Sequence, residues 1–92
     1  MFSAVHIKVT IYRGVIQEVS EFYPNDYVTL NYGFARGHAQ HVAAVEDENA
    51  HVLSARVLAS EVFEARNPGE FFYGGSAVAG RPIYIAKPPS DL

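Results

Sequence analysis

The chain has 92 residues, 49% of them hydrophobic and 18% charged, with no cysteine and a formal net charge of −3. A chain of this length makes one domain that buries roughly 60 to 65% of its unfolded surface and leaves little room for a deep active site, and its composition excludes the polar, highly charged class of disordered chains. The lack of cysteine excludes a disulfide framework, a thiolate nucleophile and Cys-type zinc or iron–sulfur sites, and no window reaches about 18 consecutive apolar residues, so no membrane partner is expected.

The opening "MFSAVHIKV" lacks the charged stretch and apolar run of a signal peptide, which makes the cytoplasm the expected location. From Val5, the apolar Val5, Ile7, Val9 and Ile11 alternate with His6, Lys8, Thr10 and Tyr12, the pattern of a half-buried strand. Gly14 then interrupts the parity. Either Arg13-Gly14 is a hairpin turn or Gly14 bends one long strand, and the weak standing of Arg-Gly in two-residue hairpins favours the bend. "VIQEVSEF" resumes β-type composition, and "YPND" at residues 23 to 26 is a turn, because Pro24 presets φ and Asn25 and Asp26 bond locally to the backbone.

"YVTLNYGF" reads as a second strand, with Val28, Leu30, Tyr32 and Phe34 facing inward and Tyr27, Thr29, Asn31 and Gly33 facing outward. Gly33 and Gly37 bracket a loop, and "HAQHVAAV" reads as a third strand in which Val42 and Ala44 compete with Ala43 and Val45 for the inward side. The acids "EDE" at 46 to 48 suit a solvated helix start and Asn67-Pro68-Gly69 suits a stop, so a helix is predicted over residues 49 to 66. Alternation of Leu53, Ala55, Val57 and Ala59 also fits a strand there. "GEFFYGG" and "RPIYIAK" read as two closing strands, followed by a frayed tail over 88 to 92, which leaves a single globular domain over 1 to 87.

The expected class is therefore mainly β with one helix (α+β), in the order β-β-β-α-β-β. Carried by "YRGVIQEVSEFYPNDYVTL", "VAAVEDENAHVL" and "NPGEFFYGGSAVAGRPIYIA", that order resembles the OB-fold, here a small, partly open barrel of five to six strands closed by a last hairpin. The resemblance implies binding of oligonucleotides, oligosaccharides or proteins over strands two and three. In this chain that surface is Tyr27, Thr29, Asn31, residues 38 to 45, the "YPND" turn and the "GGSAVAG" loop. The acidic net charge departs from most nucleic-acid-binding members.

Exposed tyrosines stack on bases at about 1 to 3 kcal/mol each, and Lys or Arg beside them contact phosphate. Lys8, Tyr12, Arg13, Tyr27, Asn31, Arg36, His38, Arg81 and Tyr84 are the candidate binding residues on that ground; the competing reading of the aromatics is core and edge packing. His38 and His41, with His51 or Glu46, invite a metal, but residues three apart on a strand face opposite ways, so no metal is expected. No nucleophile elbow, His-Glu-x-x-His or phosphate loop is present, and acid–base pairs such as His6 with Glu18 or His41 with Glu46 carry no geometry, so a non-catalytic module without a cofactor is expected. The first expectation is binding of single-stranded DNA or RNA through the exposed tyrosines and cations; the alternative is a protein partner, bound as an acidic subunit or small inhibitor rich in tyrosine. Cations gathered around exposed tyrosines favour the first and scattered cations the second. An unpaired sheet edge also leaves a homodimer open.

Overall fold

The computed structural model describes residues 6–89. In chain order its elements are β1 (Lys8–Ile16), β2 (Glu21–Phe22), β3 (Tyr27–Val28), α1 (Tyr32–Glu46), β4 (Ala50–Leu58), a 3₁₀ turn (Ala59–Glu61), β5 (Val62–Glu64), β6 (Phe71–Tyr73), β7 (Val78–Ala79) and β8 (Arg81–Ala86). The mainly β, one-helix class is the expected one. The strands form three antiparallel sheets, β1-β4-β8, β2-β7 and β3-β6-β5, and none of them closes into a barrel.

β1 pairs with β4 over nine residues without interruption, from Lys8↔Leu58 to Ile16↔Ala50. Gly14 therefore lies inside one continuous strand, and no hairpin forms there. A Cβ at Gly14 would stand 2.6 Å from the Ala39 nitrogen and 2.7 Å from the Ala35 carbonyl oxygen, so the glycine is required by the close approach of α1. The helix presents Ala35, Ala39 and Ala43, one turn apart, to Ala50, Val52 and Ala86 of the sheet, with Tyr12, Val42 and Tyr84 around them. The opposite face of the same sheet carries Ile11, Val15, Leu53 and Val57, covered by Phe22, Val28 and Tyr73 from the two small sheets. His51 is buried and donates through Nε2 to the Val19 carbonyl oxygen at 2.8 Å.

The positions of helix and strand correct the sequence reading. Residues 32 to 46, expected as the end of one strand, a loop and another strand, are helical because Asn31 caps the N-terminus, its Oδ1 accepting from the Phe34 N–H at 3.0 Å, and because the alanines repeat every four residues. Glu46 and Asp47 consequently stand at the end of a helix, with Asp47 in the left-handed conformation at φ 54°. Residues 49 to 66 do not form the predicted α-helix. Leu53, Ala55 and Val57 alternate toward the core in β4, while Ala50 and Val52 are buried on the other face under α1. A strand buried on both sides mimics a broad apolar helical arc.

Asn67-Pro68-Gly69 turns the β5–β6 hairpin, with the Glu70 N–H donating to the Asn67 carbonyl at 3.1 Å and Gly69 at φ 81°. The "YPND" turn forms as expected: the Asp26 N–H donates to the Tyr23 carbonyl at 3.1 Å, and Asn25 adopts φ 76°. The two closing strands form at β6 and β8 but belong to different sheets rather than to one hairpin. Val5 and residues 90 to 92 of the expected tail lie outside the described residues. Asn31→Ala should lower stability by about 1 kcal/mol through loss of the cap, read as a shifted urea midpoint at unchanged slope.

Candidate binding groove

β3 approaches β1 at one point. The Tyr12 N–H donates to the Thr29 carbonyl at 2.8 Å and the Thr29 N–H donates back at 2.9 Å, after which β3 veers off to pair with β6 as Tyr27↔Phe72 and Val28↔Phe71. Continued pairing with β1 would set Tyr27 opposite Gly14. The divergence opens a wedge instead, and α1 runs along its other wall. The resulting groove has a volume of about 430 Å³, with Tyr12, Arg13 and Gly14 from β1, Tyr27, Val28 and Thr29 from the β3 segment, Phe34, Ala35 and His38 from α1, and Gly69 and Glu70 from the β5–β6 turn.

Its lip is aromatic and its charges are mostly engaged. Tyr27 is 66% and Phe34 63% exposed, large rings turned to solvent on facing walls. Arg13 Nη1 lies 3.3 Å from Asp26 Oδ2, and that carboxylate also accepts from the Tyr23 N–H at 2.8 Å, which ties the turn to β1. Glu70 accepts from Asn67 Nδ2 at 3.1 Å, and His38 is exposed. Beyond the groove, Tyr27, Phe72 and Phe63 succeed one another across β3-β6-β5. The Phe63 and Phe72 rings stack at 5.5 Å and 24°, so each covers one face of the other and the strip presents ring edges more than open faces.

Of the residues expected to bind, Tyr12, Arg13, Tyr27 and His38 meet in the groove. Tyr12 is half-buried on the helix-covered face and packs edge-on against Tyr32 at 5.8 Å, which corrects its expected outward position. Asn31 is the helix cap. Arg36 and Tyr84 pair elsewhere, on the β8 side of α1, with the guanidinium 4.7 Å from the ring centroid. Gln40 Nε2 donates to the Tyr84 hydroxyl at 3.1 Å, and this bond, together with Arg36, lowers the phenol pKa from its ordinary value. Lys8 and Arg81 open β1 and β8, away from the groove.

Leu30, Tyr32 and Phe34 are exposed and not inward, since the strand that was to bury them ends at Val28; only Val28 of that set is core. Phe34 and Glu70 are among the groove residues missed from sequence, with Gly14, Val28, Ala35 and Gly69. A four-residue alanine period would have shown Phe34 lying off the buried face of a helix. His38 and His41 share a helix, so the argument from strand alternation does not apply to them. Among the described residues no three His, Asp, Glu or Cys side chains gather as a metal-binding group, and no helix is long and apolar enough to cross a membrane. No protein-family model matches the chain, and the comparisons with curated proteins and with solved structures found no match.

Proposed function

We propose that the protein is a non-catalytic protein-binding module that receives a segment of its partner in the wedge between β3 and α1. The observation that carries this reading is the pair of exposed rings, Tyr27 and Phe34, on opposite walls of a groove whose floor is apolar and whose arginine is already paired with Asp26. Aromatic side chains around a concave apolar floor supply the anchoring contacts of protein interfaces. The acidic balance of the chain and Glu70 at the rim favour a partner segment with an apolar anchor flanked by basic residues.

Single-stranded nucleic acid has the exposed Tyr27 ring in its favour. The cations give it less support: Arg13 is tied to Asp26, Arg36 covers Tyr84, and Lys8 and Arg81 begin separate strands. A displayed library of random peptides selected on the protein should yield binders with an aromatic or aliphatic anchor and neighbouring Lys or Arg. Tyr27→Ala and Phe34→Ala should each weaken those binders by about tenfold or more while leaving the circular-dichroism spectrum unchanged. Oligo-dT and oligo-U, measured by anisotropy at about 50 mM salt, should not bind. Salt-sensitive oligonucleotide binding lost in Tyr27→Ala, with no peptide enriched, would overturn the protein-binding reading.

A further inference from the structure

We infer that the anchor received between Tyr27 and Phe34 is a quaternary ammonium, the trimethylated lysine of a partner segment; this rests on the protein-binding reading above and names the occupant of the same groove. The two rings stand on facing walls with most of their surface open. Among the described residues the ring pairs are Tyr12 with Tyr32 and Phe63 with Phe72, and the cation seated on a ring is Arg36 on Tyr84. Tyr27 and Phe34 thus have neither a ring nor a cation of these residues against their faces. An aromatic face is negative at its centre and attracts a cation placed within about 6 Å of it. Two such faces across one groove, with Tyr12 as a third ring in the lining, surround a cation rather than meet it from one side.

The charges of the groove call for a cation as well. Arg13 is held by Asp26 at 3.3 Å and the two cancel, whereas Glu70 has no Lys or Arg in ion-pair contact among the described residues. With histidine counted as neutral at pH 7, the groove keeps the negative charge of Glu70, on a chain whose own balance is −3. A neutral aliphatic anchor would fill the space between the rings and leave that charge unanswered.

Methylation decides between a lysine that suits this lining and one that does not. A bare lysine ammonium is compact and strongly hydrated, and its three N–H donors need acceptors when water is displaced. Several oxygens of the lining are already engaged: the Thr29 carbonyl accepts from the Tyr12 N–H at 2.8 Å, the Thr29 hydroxyl from the Asn31 N–H at 3.1 Å, and Glu70 Oε1 from Asn67 Nδ2 at 3.1 Å. A trimethylated head has no donor to satisfy, sets methyl groups against the rings and keeps its positive charge for the ring faces and Glu70. Random displayed peptides contain no trimethyl-lysine, so the aromatic and aliphatic anchors they yield are the neutral substitutes for it.

Choline chloride, a probe for the ammonium head alone, should shift the backbone amide resonances of Gly14, Tyr27, Phe34 and Glu70 in the isotope-labelled full chain at millimolar concentration, and sodium chloride at the same concentration should not. Such shifts support the ammonium seat whether or not any peptide is enriched, and groove amides unmoved at about 50 mM choline overturn it. The second measurement takes a peptide from the display selection and replaces its anchor by trimethyl-lysine or by the neutral isostere with carbon in place of nitrogen. The charged form should bind about fivefold or more tighter than the isostere of the same shape. Tyr27→Leu, which keeps apolar bulk and removes the π-face, should bring that ratio below about twofold. Glu70→Gln, which keeps an acceptor for Asn67, should lower the ratio as well. A ratio near one in the natural chain, with peptides still bound through Tyr27 and Phe34, would overturn the inference and leave the protein-binding reading standing.

Discussion

Phe22→Ala is expected to cost about 3 to 5 kcal/mol of folding stability, a large share of the roughly 5 to 15 kcal/mol that holds a small domain together. Phe22 is fully buried and packs with Ile11, Val15, Val28, Leu53, Val57 and Tyr73, residues drawn from β1, β3, β4 and β6. Its own strand is two residues long and pairs only as Glu21↔Ala79 and Phe22↔Val78. So short a ladder cannot hold its place alone, and the ring is what fixes β2 and β7 over the main sheet. Urea titration followed by tyrosine fluorescence should show the midpoint falling steeply. A loss below about 1.5 kcal/mol would mean that the site collapses around the missing ring and that the ladder carries more than its length suggests.

Gly14→Ala is the second large effect, and its sign runs against the usual gain from replacing glycine in a strand. The added Cβ would meet the Ala39 nitrogen and the Ala35 carbonyl oxygen, atoms of the helix backbone that cannot swing aside. Overpacking of this kind costs about 1 to 3 kcal/mol, and Gly14→Val should exceed Gly14→Ala. Trimming the helix with Ala39→Gly should not restore stability, because the clash is with main-chain atoms. The displaced helix carries Phe34 and His38, so peptide binding in the groove should fall along with stability, whereas Tyr27→Ala lowers binding alone. Gly14→Ala with unchanged stability and binding would show that α1 can ride outward without consequence.

What could be read from the sequence was local. Alternation of Ile7 through Tyr12 marked β1, Pro24 with Asn25 and Asp26 marked the turn, and the runs around Phe71 to Tyr73 and Ile83 to Ala86 marked two closing strands. The helix escaped because its fully buried face is made only of alanine, which adds little to an apolar period, while Val42 at the margin of that face and Tyr32, Phe34 and Val45 off it carry β-type preference. The cap was visible in Asn31 yet read as an outward strand residue. Long pairings were beyond reach: Tyr27 meets Phe72, and Tyr12 meets Ser54, contacts that no spacing along the chain encodes. The groove depends on those pairings, and so Tyr12, Arg13, Tyr27 and His38 could be named as candidates but not placed together. Arg36 and Tyr84 were named for the same reason of chemistry and meet in a contact of their own.

The alanine face of α1 has a consequence for how the helix is located. Ala35, Ala39 and Ala43 offer single methyl groups to Ala50, Val52 and Ala86, a nearly smooth bearing with few knobs to lock into holes. Such a surface fixes the distance between helix and sheet closely and the position along the helix axis hardly at all. Axial position falls to the long side chains at its margins: Tyr32 against Tyr12, and Arg36 and Gln40 against Tyr84. The helix is thus held like a rod in a shallow track with stops on either side, and the spacing between Phe34 and Tyr27 across the groove is set by those stops and not by the core beneath them.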